Sequence, residues 1–215
     1  MHRELLIWFF NNNSLDRDTS PPVAAFEHFR IKILSNDIDF QDMIENVIKE
    51  KLPGREDEIR KERIEIEAAD TCDQIVRFMR RGADLMNQDF LVKKALEFED
   101  EIIPVIISML KTSLNDLFIE LSVRVLAICG KDICQELTSV YNNVRNPYAQ
   151  SLILVALGFK ADEKSIPWLI KQFDELRSLY PDESYHYGAY YALYEMDSRF
   201  YSDSKKFDSS SVQPE

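Results

Sequence analysis

The chain has 215 residues, 45% hydrophobic and 30% charged, with a formal charge of -12. That length holds one large domain or one short repeat array, and the composition is that of a soluble, folded protein. The negative balance argues against a general nucleic-acid or anionic-membrane binder, which needs a basic face to displace counterions. It speaks for solubility first and for a basic protein partner second.

In chain order, the run Leu5-Leu6-Ile7-Trp8-Phe9-Phe10 comes first. It is too short for a signal-peptide core or a membrane span, and no small-residue cleavage site follows. Six large apolar side chains left in water would form an unexplained patch, so the run is expected to dock on the body of the protein. Pro21-Pro22 marks a linker, followed by helices over 23–34 and 40–52, the second capped by Asp39 and stopped by Pro53-Gly54. Residues 55–81 read as one long helix with Ile59, Ile66, Ala69, Cys72, Ile75, Val76 and Met79 on its buried side. Arg77, Arg80 and Arg81 gather near its end, where a helix C-terminus favours cations, and Gly82 closes it.

A helix over 87–98 comes next, and Glu97, Glu99, Asp100 and Glu101 then open one over 102–110. The second half is organised around 146–158. Asn146 is a good N-cap, Pro147 suits the first helical position, and Ala149, Leu152, Ile153, Ala156 and Leu157 form an apolar stripe. Gly158 reads as a left-handed C-cap. Weaker copies occur at 116–130 and 181–194, with Gly130 and Gly158 lying 28 residues apart. Amphipathic segments at 102–110, 133–144 and 166–179 precede the three copies, and two carry Ile-Pro near their start, at Ile103-Pro104 and Ile166-Pro167. Such spacing is near that of helical-pair repeats.

These residues resemble HEAT repeats, particularly the short form found in bilin lyases. Asn146-Pro147 matches the family's Asp-Pro turn, and Ala149-Gln150 with Ala156-Leu157-Gly158 matches its second helix. Gln150 and His186 stand where that family usually has arginine, and Gly188 interrupts the last copy. The resemblance spans roughly 87–196 and implies an all-α, right-handed α-α superhelix of about four helix pairs. By the same resemblance the second helices line a concave binding face, presenting Lys93, Lys94, Glu120, Arg124, Gln150, His186, Tyr187 and Tyr191. The expected organisation is a helical segment over 1–82 packed on the first repeat, repeats over 83–201, and a disordered tail over 202–215.

Seven of the nine tyrosines lie between Tyr180 and Tyr201. Amphipathic rings are enriched at recognition surfaces, and they also suit the water-facing cap of a repeat stack. Arg124, Gln150, His186, Tyr187, Tyr190, Tyr191 and Tyr194 are therefore the candidate partner-binding residues. Cys72, Cys129 and Cys134 show neither disulfide nor zinc spacing, which favours a reducing, cytoplasmic setting with the thiols buried as small hydrophobes. His2, His28 and His186 are scattered, and no phosphate loop, nucleophile elbow or His-Glu-x-x-His motif is present. The expectation is a non-catalytic scaffold for a protein partner, with no cofactor or metal. Alternatives are a HEAT-like DNA glycosylase, a bilin-lyase-like chromophore carrier, or an immunity protein masking a basic partner.

Overall fold

The computed structural model describes residues 1–13, 21–34 and 54–201; the helix expected over 40–52 and the tail over 202–215 lie outside them. Among the described residues every regular element is a helix. In chain order they are α1 (His2–Asn12), α2 (Pro21–Leu34), α3 (Glu56–Glu67), α4 (Cys72–Arg81), α5 (Gln88–Leu96), α6 (Glu99–Leu110), α7 (Asp116–Ile128), α8 (Cys134–Asn143), α9 (Pro147–Lys160), α10 (Ile166–Leu179) and α11 (Tyr187–Tyr201). Single 3-10 turns, Leu85–Asn87 and Glu163–Ser165, lead into α5 and α10. None of these helices is long and apolar enough to cross a membrane.

The expected long helix over 55–81 is two helices, α3 and α4. The break has a local cause: Thr71 Oγ1 accepts from the Gln74 N–H at 3.4 Å while Gln74 Oε1 accepts from the Asp70 N–H at 2.8 Å. That Thr-x-x-Gln capping exchange starts a new helix and satisfies amides that a continuous helix would have paired internally. Gly82, at φ +80°, closes α4 as expected. α6 begins at Glu99, not Ile102, because Glu99, Asp100 and Glu101 form its first turn and leave Pro104 inside the helix.

α9 is the central helix. Asn146 caps it, its Oδ1 accepting from the N–H groups of Tyr148 and Ala149, and Pro147 follows at the first position. From Ser151 to Gly158 every side chain is buried, so the expected stripe is an all-round apolar helix in contact with α7, α8 and α11. Gly158 is not its C-cap. The helix runs on to Lys160, and Arg199 of α11 donates to the carbonyls of Gly158 (2.6 Å) and Ala161 (3.3 Å), doing a capping residue's work from outside. Gly158 instead permits close approach, since a Cβ there would lie 2.6 Å from the Cα of Ala192. α11 starts at Tyr187 and not near Pro181, residues 181–186 forming turns closed by Glu183 N–H to Tyr180 O and Tyr187 N–H to Ser184 O.

α5, α7, α9 and α11 touch in sequence, while α4 touches α6 and α6 touches α8; α4–α5, α6–α7, α8–α9 and α10–α11 are in contact as pairs. The division expected after residue 82 thus falls between two packed helices. The N-terminal segment parts into two destinations. α3 and α4 pack on α5, whereas α1 lies on α10 and α11, and α2 on α7 and α11. Leu6 and Phe9 of α1 are fully buried, so the apolar run at 5–10 docks on the body by one face, while Ile7 and Trp8 face solvent. Cys72 and Cys129 are buried, Cys134 is half-buried, and all three are free thiols.

Candidate functional site

α2 lies against α7 and α11 and also reaches α5 and α9 through side chains. Phe26, Phe29 and Ile33 of α2 are buried at i, i+3 and i+7, one stripe of a helix. Phe26 meets the ring of Tyr148 of α9 at 6.3 Å. Arg30 donates through Nε (2.9 Å) and Nη2 (2.6 Å) to Glu195 Oε2 of α11, with the two side chains 14% and 7% exposed, and its guanidinium lies 4.9 Å over the Tyr194 ring. Lys32 Nζ reaches Gln88 Oε1 of α5 at 3.4 Å.

Beneath α2 is a compact set of charges. Arg124 of α7 is 1% exposed and pairs with Asp89 of α5. Tyr148 donates to Glu120 Oε1 at 2.7 Å; burial and that carboxylate push its phenol well above the ordinary tyrosine range. Burial holds the Lys32 ammonium below its usual value, opposed by Glu120 and assisted by Arg124. Two cations and two carboxylates share the region, the arrangement in which a buried charge is tolerated at all.

At the far end, α1 and the α10–α11 hairpin build an aromatic joint. Phe9 meets Phe173 edge-on at 4.9 Å, and Phe10 meets Tyr190 at 5.3 Å and Tyr194 at 6.4 Å. His186 sits 5.1 Å from Phe173 and 4.4 Å from Tyr187, ring to ring. A cavity of about 380 Å³ opens here, with Asn12, Asn13, Arg177, His186, Tyr187 and Tyr190 on its walls. Arg177 Nη1 donates to Asn13 Oδ1 at 3.3 Å. Burial, with Arg177 nearby, holds the His186 imidazole below its ordinary value. The walls offer one cation, two amides, two phenols and an imidazole, a set able to hydrogen-bond a polar end group and stack on a ring.

The seven residues singled out by sequence therefore part company. His186, Tyr187 and Tyr190 line the cavity together. Tyr191 is a core residue at 4% exposed, and Tyr194 stands half-exposed beside Arg30. Gln150 donates to the carbonyls of Tyr141 (3.4 Å) and Val144 (3.0 Å), completing the end of α8. Arg124 is buried and paired with Asp89 of α5. Sequence reasoning missed Arg30 with Glu195 and Lys32 with Gln88, pairs distant in the chain that have no local signal. Phe9 and Phe10 were recognised only as a greasy run, although Leu6, Phe9 and Phe10 already follow helical spacing. No family model, no curated protein and no solved structure matches the chain.

Proposed function

We propose that the chain is a non-catalytic, cytoplasmic protein-binding scaffold. It is read as a HEAT-like right-handed superhelix of four helix pairs, α4–α5 to α10–α11, whose row of second helices receives a helix of a partner protein. The observation that supports this best is the helix already there. α2 meets the row with an apolar stripe and two flanking cations, the side-on seating of helix-in-groove recognition. In this reading α2 is the resident occupant and the partner's helix takes its place. Such a partner carries an apolar stripe and a cation to meet Glu195, which agrees with the chain's acidic balance. Three free thiols support a reducing compartment.

The test is a photo-reactive residue at position 194, beside Arg30, in chain purified from its native setting, with mass spectrometry of what it captures. The expected result is a cross-link to a helical segment, with loss of amide protection in α2 once that partner is added. Ile33→Ala, which loosens α2 without stranding a charge, is expected to tighten binding roughly tenfold by lowering the cost of displacement. A partner footprint confined to α4, α6, α8 and α10, with α2 unchanged, overturns the reading.

A further inference from the structure

Away from the α2 face, a cleft of about 690 Å³ runs between the end of α4 and the α6–α7 connection. Arg77, Arg80 and Arg81 line it from positions i, i+3 and i+4 of α4, and Thr112, Ser113 and Asn115 form part of the facing wall. Arg81 is engaged: it lies 3.6 Å from Glu62 and 3.4 Å from Glu65, and its guanidinium stacks 4.4 Å from the Phe78 ring. Arg77 and Arg80 are exposed and make no ion pair among the described residues. Asp73, one turn earlier on α4, also lines the cleft and is not in ion-pair contact with either.

A helix C-terminus explains why cations are tolerated here; it does not explain a cleft shaped around them. Like charges at i, i+3 and i+4 repel, and no carboxylate among the described residues is in ion-pair contact with Arg77 or Arg80 to offset it. The facing wall is held in place. Asn115 Nδ2 donates to the carbonyl of Arg80 at 2.8 Å, and its Oδ1 caps α7 through the Phe118 N–H at 2.9 Å. Ser113 Oγ accepts from the Asn115 N–H at 3.2 Å, which leaves its own hydroxyl proton to donate elsewhere. The wall therefore presents hydroxyl donors opposite two forked guanidinium groups, over a floor that includes Val76, Met109 and Phe118.

We infer that this cleft binds a phosphomonoester carried by a peptide segment, Arg77 and Arg80 gripping the phosphate oxygens and Thr112 and Ser113 adding hydroxyl donors. Arginine forks match phosphate bidentately, and an oxyanion with two charges suits two unpaired cations. The volume exceeds that of a phosphate, and the apolar floor with Leu114 at its rim accommodates the residue next to the phosphorylated one. A long polyanion is disfavoured by the acidic remainder of the surface.

The experiment uses the full chain and two probes. Sodium phosphate, titrated at constant ionic strength against sodium chloride, is expected to shift the Nε–Hε resonances of Arg77 and Arg80 and the amides of residues 112–115 saturably. A degenerate phosphoserine peptide library is expected to be retained over its unphosphorylated counterpart, and Arg77→Ala/Arg80→Ala to reduce retention at least tenfold with the circular dichroism spectrum unchanged. Equal retention of both libraries, equal shifts with chloride, or binding of duplex DNA or anionic vesicles in preference to phosphopeptide overturns the assignment. Because both arginines lie apart from α2, the double variant leaves capture at position 194 intact, and the two proposals fail separately.

Discussion

Arg30 and Glu195, 165 residues apart, meet through two hydrogen bonds of 2.9 and 2.6 Å and bind α2 to the last helix of the chain. Removing one member leaves the other shielded without a counter-charge. Arg30→Ala is expected to cost about 3 kcal/mol in urea denaturation, and the paired change Arg30→Met/Glu195→Leu clearly less, since no charge is then stranded. Equal losses in the two variants would show that the pair acts only through packing.

The close approach of α9 and α11 makes a second prediction. A Cβ at Gly158 would meet the backbone of Ala192, and one at Gly188 would meet the backbone of Ser151, neither of which can swing aside. Gly158→Ala and Gly188→Ala are each expected to lose about 2 kcal/mol or more and to lower the melting temperature by several degrees. Gly130→Ala is the control: its methyl would meet only the Glu99 carboxylate, at 3.6 Å, and is expected to be nearly neutral.

His186 gives the pH dependence. Burial and the neighbouring Arg177 of α10 lower its pKa, with a backbone hydrogen bond at Glu183 opposing them. The unfolded chain therefore takes up a proton before the folded one as pH falls. Its contribution to stability is present above the ordinary histidine value of about 6.5 and is lost as pH falls below it. Urea midpoints at pH 7.5 and 5.5 should differ by less in His186→Gln than in the parent; an unchanged difference would place the proton uptake elsewhere.

Asn146 supplies two acceptor contacts at the start of α9, and its Nδ2 donates to the Ser113 carbonyl at 3.5 Å. Asn146→Ala is expected to cost about 1 kcal/mol. Asn146→Asp keeps the acceptor oxygen and should recover most of that loss in thermal melts.

Local grammar was legible where the signal spans one turn. The Asn146-Pro147 start of α9, the Gly82 stop of α4 and the burial of Leu6 and Phe9 all follow from side-chain chemistry within a few positions. The same grammar misled where a distant group intervened: Gly158 resembles a helix stop until Arg199 satisfies the carbonyls beyond it. The tyrosines were found as a cluster but not sorted, because three or four residues of helix rotation decide which ring faces α1 and which faces solvent. Thr71 and Gln74 held a readable capping signal, overridden in the sequence reading by the longer apolar period around it.

By itself, the sequence determined that the chain is helical, where most helices begin and which stripes must be hidden, since propensity, capping and periodicity act over one or two turns. Only the tertiary structure decided that α1 and α2 return to the last helix pair, that Arg30 meets Glu195, and that Arg77 and Arg80 face a hydroxyl-lined wall. Those outcomes depend on how whole surfaces fit once the stripes are buried, and no local pattern encodes which of several apolar faces a given helix will cover.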